Sequence, residues 1–224
     1  MAIVPFTRPL RPQRDACEDA YVILCNAHDA VRSFHDTFES VRRTRKAKGM
    51  PTDEEQDLLR AMVLFAGAGL DSTVKQLIRD ALALVIEHDE GATFQFKAHI
   101  EQRLRDDGSS RQFLADILGD REPRKQLFVR LVRDLTSDSL QSAEQLLKVA
   151  AYFNIPSQRI STDIKALKDI FAVRNQIGHE MDIDFSQVNR SRRARARDKM
   201  VKYATELLRI AAAFLAEVDS KIPA

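Results

Sequence analysis

Apolar residues return at steps of three and four along most of this 224-residue chain, and that interval restricts its fold more than anything else in the sequence. From Arg14 to about Lys48, Leu24, Ala27, Val31, Phe34, Phe38 and Val41 keep the period of a helix with one apolar face. A second run, Leu58 to Ile86, stands behind Thr52 and Glu55, which are spaced as a capping box. A third, about Gln187 to Lys221, is basic at its start and apolar from Val201 onward. Shorter candidates fill 92–155, and a further one in 161–180 puts Ile164, Leu167, Ile170, Phe171 and Val173 or Ile177 on one face. Only seven Gly and seven Pro serve the whole chain, too few for the frequent turns of an all-β protein. The expected fold is all-α: a bundle of long antiparallel helices with additional short helices in the middle third.

Three of the prolines fall within residues 1–12, which read as an extended arm. Residues 13–224 read as one domain, with 92–155 a candidate helical insertion. Gly67 and Gly69 interrupt the second run; they fit equally a kink, with Asp71 restarting the helix, or a close approach of two helix backbones. Ser137 or Asp138 is the expected cap of the helix that follows.

With 44% hydrophobic and 30% charged residues the chain can bury a core, and a net charge of +2 gives no global basic field, so any contact with nucleic acid must rest on local clusters. Cys17 and Cys25 are separated by about 12 Å if both lie on the first helix, too far for a disulfide, and are expected as free thiols. No segment approaches twenty uninterrupted apolar residues, so the expectation is a soluble, cytoplasmic protein with no membrane contact. His28 and His35 share a helix face but have no third ligand, and no carboxylate or histidine cluster has metal-ligand spacing; neither a metal nor a cofactor is expected.

The stretch DIFAVRNQIGHEMDID, residues 169–184, carries the chemistry. Arg174, Asn175 and His179 stand at the end of an apolar helical run, and two readings are open. In one, Gly178 caps the helix and His179 and Arg174 are ordinary polar residues of a helix end. In the other, they work on a phosphodiester. RNA cleavage by 2′-hydroxyl attack needs a base, an acid and positive charge near the transition state; histidine serves the first two near neutral pH, and arginine the third through a permanently charged fork. Residues five apart lie about 140° from each other around a helix, so the pair should flank a groove rather than touch. One helix then offers half a site, which a second copy across a two-fold axis would complete.

RNQIGH resembles the motif of the HEPN superfamily (higher eukaryotes and prokaryotes nucleotide-binding domain): Arg, a polar residue, a short spacer and His near the last long helices of a bundle. The segment FAGAGLDSTVKQLIRDAL is similar to the second helix of its ribonuclease-like branches. The resemblance implies a metal-independent endoribonuclease acting as a homodimer, with Arg174, Asn175 and His179 at the motif positions. Many members are toxins or antiviral effectors, so an antitoxin or defence-system partner is implied as well. In toxins neutralised by nucleotidyltransferases a Tyr follows the motif histidine; Glu180 stands there in this chain, against regulation of that kind. The alternative is an inactive helical module of the same type that binds RNA, a nucleotide or a protein partner.

Arg190, Arg192, Arg193, Arg195, Arg197 and Lys199 fall within ten residues. Such a run is commonly a solvated face. Cations at a helix start oppose the macrodipole, however, and gain nothing locally, which favours contact with RNA phosphates. A second cluster, Arg42 to Lys48, suits its own helix C-terminus and says less about RNA.

Overall fold

A computed structural model describes residues 6–105 and 110–223. Within them the regular structure is helical, and the one β pairing is an isolated bridge between Ile183 and Arg192. Residues 1–5 of the expected arm lie outside the described residues; 6–12 carry no regular structure. A single 3-10 turn at Asp15–Cys17 leads into α1 (Glu18–Thr44), followed by α2 (Asp53–Asp80), α3 (Leu82–His88), α4 (Glu90–Arg105), α5 (Ser110–Leu118), α6 (Pro123–Thr136), α7 (Ala143–Tyr152), α8 (Ser157–Ile160), α9 (Ile164–Glu180) and α10 (Arg197–Lys221).

The first long helix ends where Arg42 and Arg45 turn onto Glu55 of α2, at 2.8 and 2.9 Å. Glu55 also closes the capping box, accepting from Thr52 N at 2.9 Å while its own amide donates to Thr52 Oγ1 at 3.4 Å. Two cations of the cluster at 42–48 thus hold a hairpin together. Contacts at Arg42–Glu55, Phe34–Phe65 and Ala27–Gly69 show α1 and α2 antiparallel. By the same reasoning α10 runs parallel to α2, since Arg195 meets Gln56 and Leu208 approaches Gly69. Helix α2 is therefore the hub of the bundle, packed against α1, α10 and α9, and its Leu59, Met62, Leu70 and Leu77 are fully buried.

Neither glycine kinks α2, which runs unbroken past Asp71. Gly69 marks the close approach: a Cβ there would sit 2.3 Å from Ala27 Cβ of α1. The apolar run from Leu58 divides at Ala81 into α2 and α3.

Helices α4 to α7 pack on one another, with Phe96 and Phe128 stacked at 4.7 Å, and join the long helices through α6 on α2 and α7 on α9. The cap of α7 is Ser142, which accepts from Gln145 N at 3.1 Å, not Ser137 or Asp138. Asp71 explains the difference: it accepts from Leu140 N at 2.6 Å and ties residues 137–142 to α2 as a loop. No helix of the described residues is long and apolar enough to cross a membrane. Cys17 and Cys25 are both free, and burial pushes the Cys17 thiol up to about 12.

Candidate functional site

Helix α9 lies antiparallel to α2, and two glycines shape what happens between them. Gly67 of α2 leaves space for the stem of Arg174, whose Cγ is 3.3 Å from where a Cβ would stand. Gly178, one turn further along α9, leaves space for the head: a Cβ there would be 3.4 Å from Nη1 and 3.7 Å from Cζ. The guanidinium passes over this bare stretch of helix and reaches His179, with Nη1 at 3.4 Å from Nε2 and 3.3 Å from Oδ1 of Asn175. The two residues touch after all, because a long side chain crosses the 140° that separates their Cα positions. As a hydrogen bond this contact requires Arg174 to donate, so His179 accepts through an unprotonated Nε2.

The C-cap reading of Gly178 does not hold. Helix α9 continues through it, and Met181 ends the helix in the left-handed conformation at φ 52°.

Arg174 forms no ion pair among the described residues, and its Nε is buried without a hydrogen-bond partner. Burial pulls its pKa down from the ordinary arginine value, with Asp71 acting in the opposite direction. Asp71 itself is engaged by Lys75 at 3.2 Å and by the Leu140 amide. His179 and Asn175 open onto a groove of about 650 Å3 that is also lined by Ser142, Gln145 and Lys148 of α7 and its approach and by Asp138 and Glu144.

Immediately behind the site the chain is fastened by a fully buried carboxylate. Asp182, also left-handed at φ 60°, accepts from Arg60 Nε at 2.8 Å and from Arg195 Nε at 2.9 Å. Arg60 is 3% exposed and also donates to the Arg193 carbonyl at 3.0 Å; Arg195 also donates to Gln176 Oε1 of α9 at 2.9 Å. Burial pushes the Asp182 carboxyl up, but hydrogen bonds from Arg195 and Arg60 more than offset it, and the net shift is downward.

This network changes the meaning of the arginine run. Residues 190–196 are loop, and α10 begins at Arg197, ten residues later than the start expected near Gln187. Four of the five arginines have carboxylate partners: Arg192 with Asp57 at 2.6 Å, Arg193 with Glu180 at 3.2 Å, Arg195 with Asp182, and Arg197 with Glu39 and Asp198. The premise that these cations gain nothing locally therefore fails. Lys199 lies over the Tyr203 ring at 5.6 Å, and Arg190 is exposed with no side-chain partner among the described residues.

His28 is buried with neither ring nitrogen bonded; His35 meets Glu39 and Asp36. Among the described residues no three His, Cys, Asp or Glu side chains gather as a metal-ligand set. The roles of Asp182 and Lys148 had no motif to announce them, since Arg60 is 122 residues from Asp182 in sequence and Lys148 lies on a different helix from the Asn175 and His179 whose groove it lines.

Set against known proteins, the chain matches no family model, no curated protein and no solved structure.

Proposed function

We propose that this chain is a metal-independent endoribonuclease of the HEPN type, acting on RNA as a homodimer. The observation that carries the reading is the state of Arg174: a guanidinium with no ion-pair partner among the described residues, held 3.4 Å from the Nε2 of an exposed histidine at the edge of a groove. An arginine serving only structure would be expected to meet a carboxylate, as Arg60, Arg192, Arg193, Arg195 and Arg197 do.

In this reading Nε2 of His179 takes the proton of a ribose 2′-hydroxyl, the 2′-oxygen attacks the adjacent phosphorus, and the 5′-oxygen leaves with a proton from an acid. Arg174 holds the charge that builds on the phosphoryl oxygens, and Asn175 orients its fork. The products are a 2′,3′-cyclic phosphate and a 5′-hydroxyl. One copy supplies one histidine, so the acid is the His179 of a second copy across a two-fold axis. The second copy would sit on the exposed apolar residues of the α1–α2 hairpin. Phe34 and Phe65 pack at 5.0 Å with Phe65 49% exposed, Val41 is exposed on the same hairpin, and Phe65 neighbours Leu64, which approaches Gly178. Of the basic run, Arg190 and Lys199 are the residues best placed to meet RNA phosphates, since the other four already face carboxylates. The resemblance extends to cytoplasmic toxins and antiviral effectors restrained by an antitoxin or a defence partner, and the proposal includes that role.

The test is cleavage in excess EDTA of an RNA with a single 2′-deoxy residue at the mapped cut site. The reading expects the unmodified RNA to be cut to a cyclic phosphate and the modified one to survive. Cleavage of both, or cleavage dependent on a divalent cation, would remove it.

A further inference from the structure

A second hollow adjoins the groove beside His179 at α7. Lys148 and Asp138, which line the groove, also line this hollow of about 320 Å3, together with His99, Arg103 and Tyr152. The two hollows share Asp138 and Lys148 in their walls, so Lys148 borders both. Its ammonium has no ion-pair or hydrogen-bond partner among the described residues, whereas Arg103 beside it is bound to Asp134. In the second hollow Tyr152 and His99 meet edge to face, ring centroids 6.1 Å apart at 77°, with the phenol oxygen 3.4 Å from Nδ1. The other nitrogen of His99 lies 3.6 Å from Asp134. Tyr152 follows Lys148 by one helical turn, about 6 Å along the axis.

We propose that this second hollow is a subsite for an RNA nucleotide flanking the scissile phosphate, in which Lys148 takes the nucleotide's phosphate and the Tyr152–His99 pair receives its base. With both His99 nitrogens engaged by Tyr152 and Asp134, the partly exposed Tyr152 ring offers a base a stacking surface and its phenol a hydrogen-bonding group, and a lone cation one turn away suits the phosphate attached to it. Carboxylates line both hollows, Asp138 and Glu144 the first and Asp138 and Asp134 the second, so Lys148 supplies one localised contact rather than a basic field. The nucleotide track then runs across α7, whereas the basic run of 190–199 is largely closed to it by its carboxylate partners.

This inference rests on the RNA reading of the His179 site, and binding separates the two. The probe is a fluorescein-labelled single-stranded RNA decamer, titrated by anisotropy in EDTA against the full chain in its His179→Ala form, over a range of salt. Adding Lys148→Gln is expected to weaken binding about tenfold and reduce the log–log salt slope by about 0.7, the value for one phosphate contact on a single strand. Adding Tyr152→Leu is expected to cost at least fivefold with the slope unchanged, while Tyr152→Phe, which keeps the ring, binds within about twofold of its parent. Lys148 is exposed, so its variant should melt with the parent and report binding rather than folding. Binding by the parent that neither Lys148→Gln nor Tyr152→Leu alters would overturn the subsite and leave the His179 reading standing. No binding of RNA by the parent or the wild type would overturn both.

Discussion

Gly67 on α2 and Arg174 on α9 pack so closely that a Cβ on the glycine would stand 3.3 Å from Arg174 Cγ and 3.5 Å from Nε. Alanine in place of glycine inside a helix gains up to about 1 kcal/mol of intrinsic propensity, so Gly67→Ala should leave the melting temperature unchanged or slightly raised. The added methyl displaces Arg174 from His179, and cleavage should fall by about tenfold or more. Gly69→Ala should do the reverse. Its Cβ would lie 2.3 Å from Ala27 Cβ, and overpacking of that kind costs about 1–3 kcal/mol with no direct effect on the site. Thermal melts and single-turnover cleavage on both variants check the contrast; wild-type cleavage by Gly67→Ala would mean that the packing does not position Arg174.

Asp182 joins two arginines at a fully buried carboxylate, and removing it leaves Arg195 without a carboxylate partner and Arg60 with Asp57 alone. Asp182→Ala should destabilise the fold by about 3–5 kcal/mol, and Arg195→Ala should also be strongly destabilising. Arg190→Gln and Lys199→Gln, at exposed positions, should change stability by less than about 0.5 kcal/mol and instead lower the salt dependence of RNA binding. The net downward shift of the Asp182 carboxyl sets the direction with pH: its contribution is complete above the ordinary carboxylate range and is lost as pH falls through its depressed folded value. Denaturant melts of the four variants, with a pH series on the wild type, check this. A mild Arg195→Ala would remove the structural role assigned to it.

His28 is 6% exposed with both ring nitrogens unbonded, and burial holds its pKa below the ordinary histidine value, with Asp29 pulling up and Arg8 pushing down. The unfolded chain takes up a proton below about pH 6.5 and the folded chain only at lower pH. Stability from this group is therefore complete above that value and declines as pH falls toward the folded pKa. Melting temperatures measured from pH 8 to pH 5 should fall for the wild type and fall less steeply for His28→Leu. Parallel curves would assign the acid sensitivity elsewhere.

Phe65 should govern assembly. Phe65→Glu places a charge at an exposed position beside the site, where the second copy is proposed to sit, so sedimentation should show monomers at concentrations where the wild type is dimeric, with cleavage lost in parallel. A monomeric wild type at micromolar concentration would remove the shared-cleft mechanism.

The all-helical class, the long helices α1 and α2 and the capping box at Thr52 were legible because they depend on local periodicity and on residues three or four apart. The end of α9 and the start of α10 were not. The sequence places a helix start near Gln187 with the basic run inside it, but Asp182 and Arg195 of one loop meet Arg60 of α2 and hold 181–196 as loop. The basic run misled for the same reason: its partners Asp57, Glu180, Asp182 and Glu39 are spread over more than 140 residues, and no spacing rule connects them. The contact between Arg174 and His179 depends on a glycine of another helix, so helical geometry alone gave the wrong separation.

The central claim is that His179 moves a proton while Arg174 beside it holds charge, and the direct measurement is the single-turnover cleavage rate of His179→Ala against wild type in EDTA. Loss of a positioned acid or base costs about 10² to 10⁴ in rate. The account predicts a fall in that range, with an unchanged melting temperature, nearly unchanged RNA affinity, and a 2′,3′-cyclic phosphate as the wild-type product. A His179→Ala protein that cleaves as the wild type does, or a purified wild-type dimer that cleaves no RNA above the variant across varied RNAs and with candidate partners supplied, would contradict it.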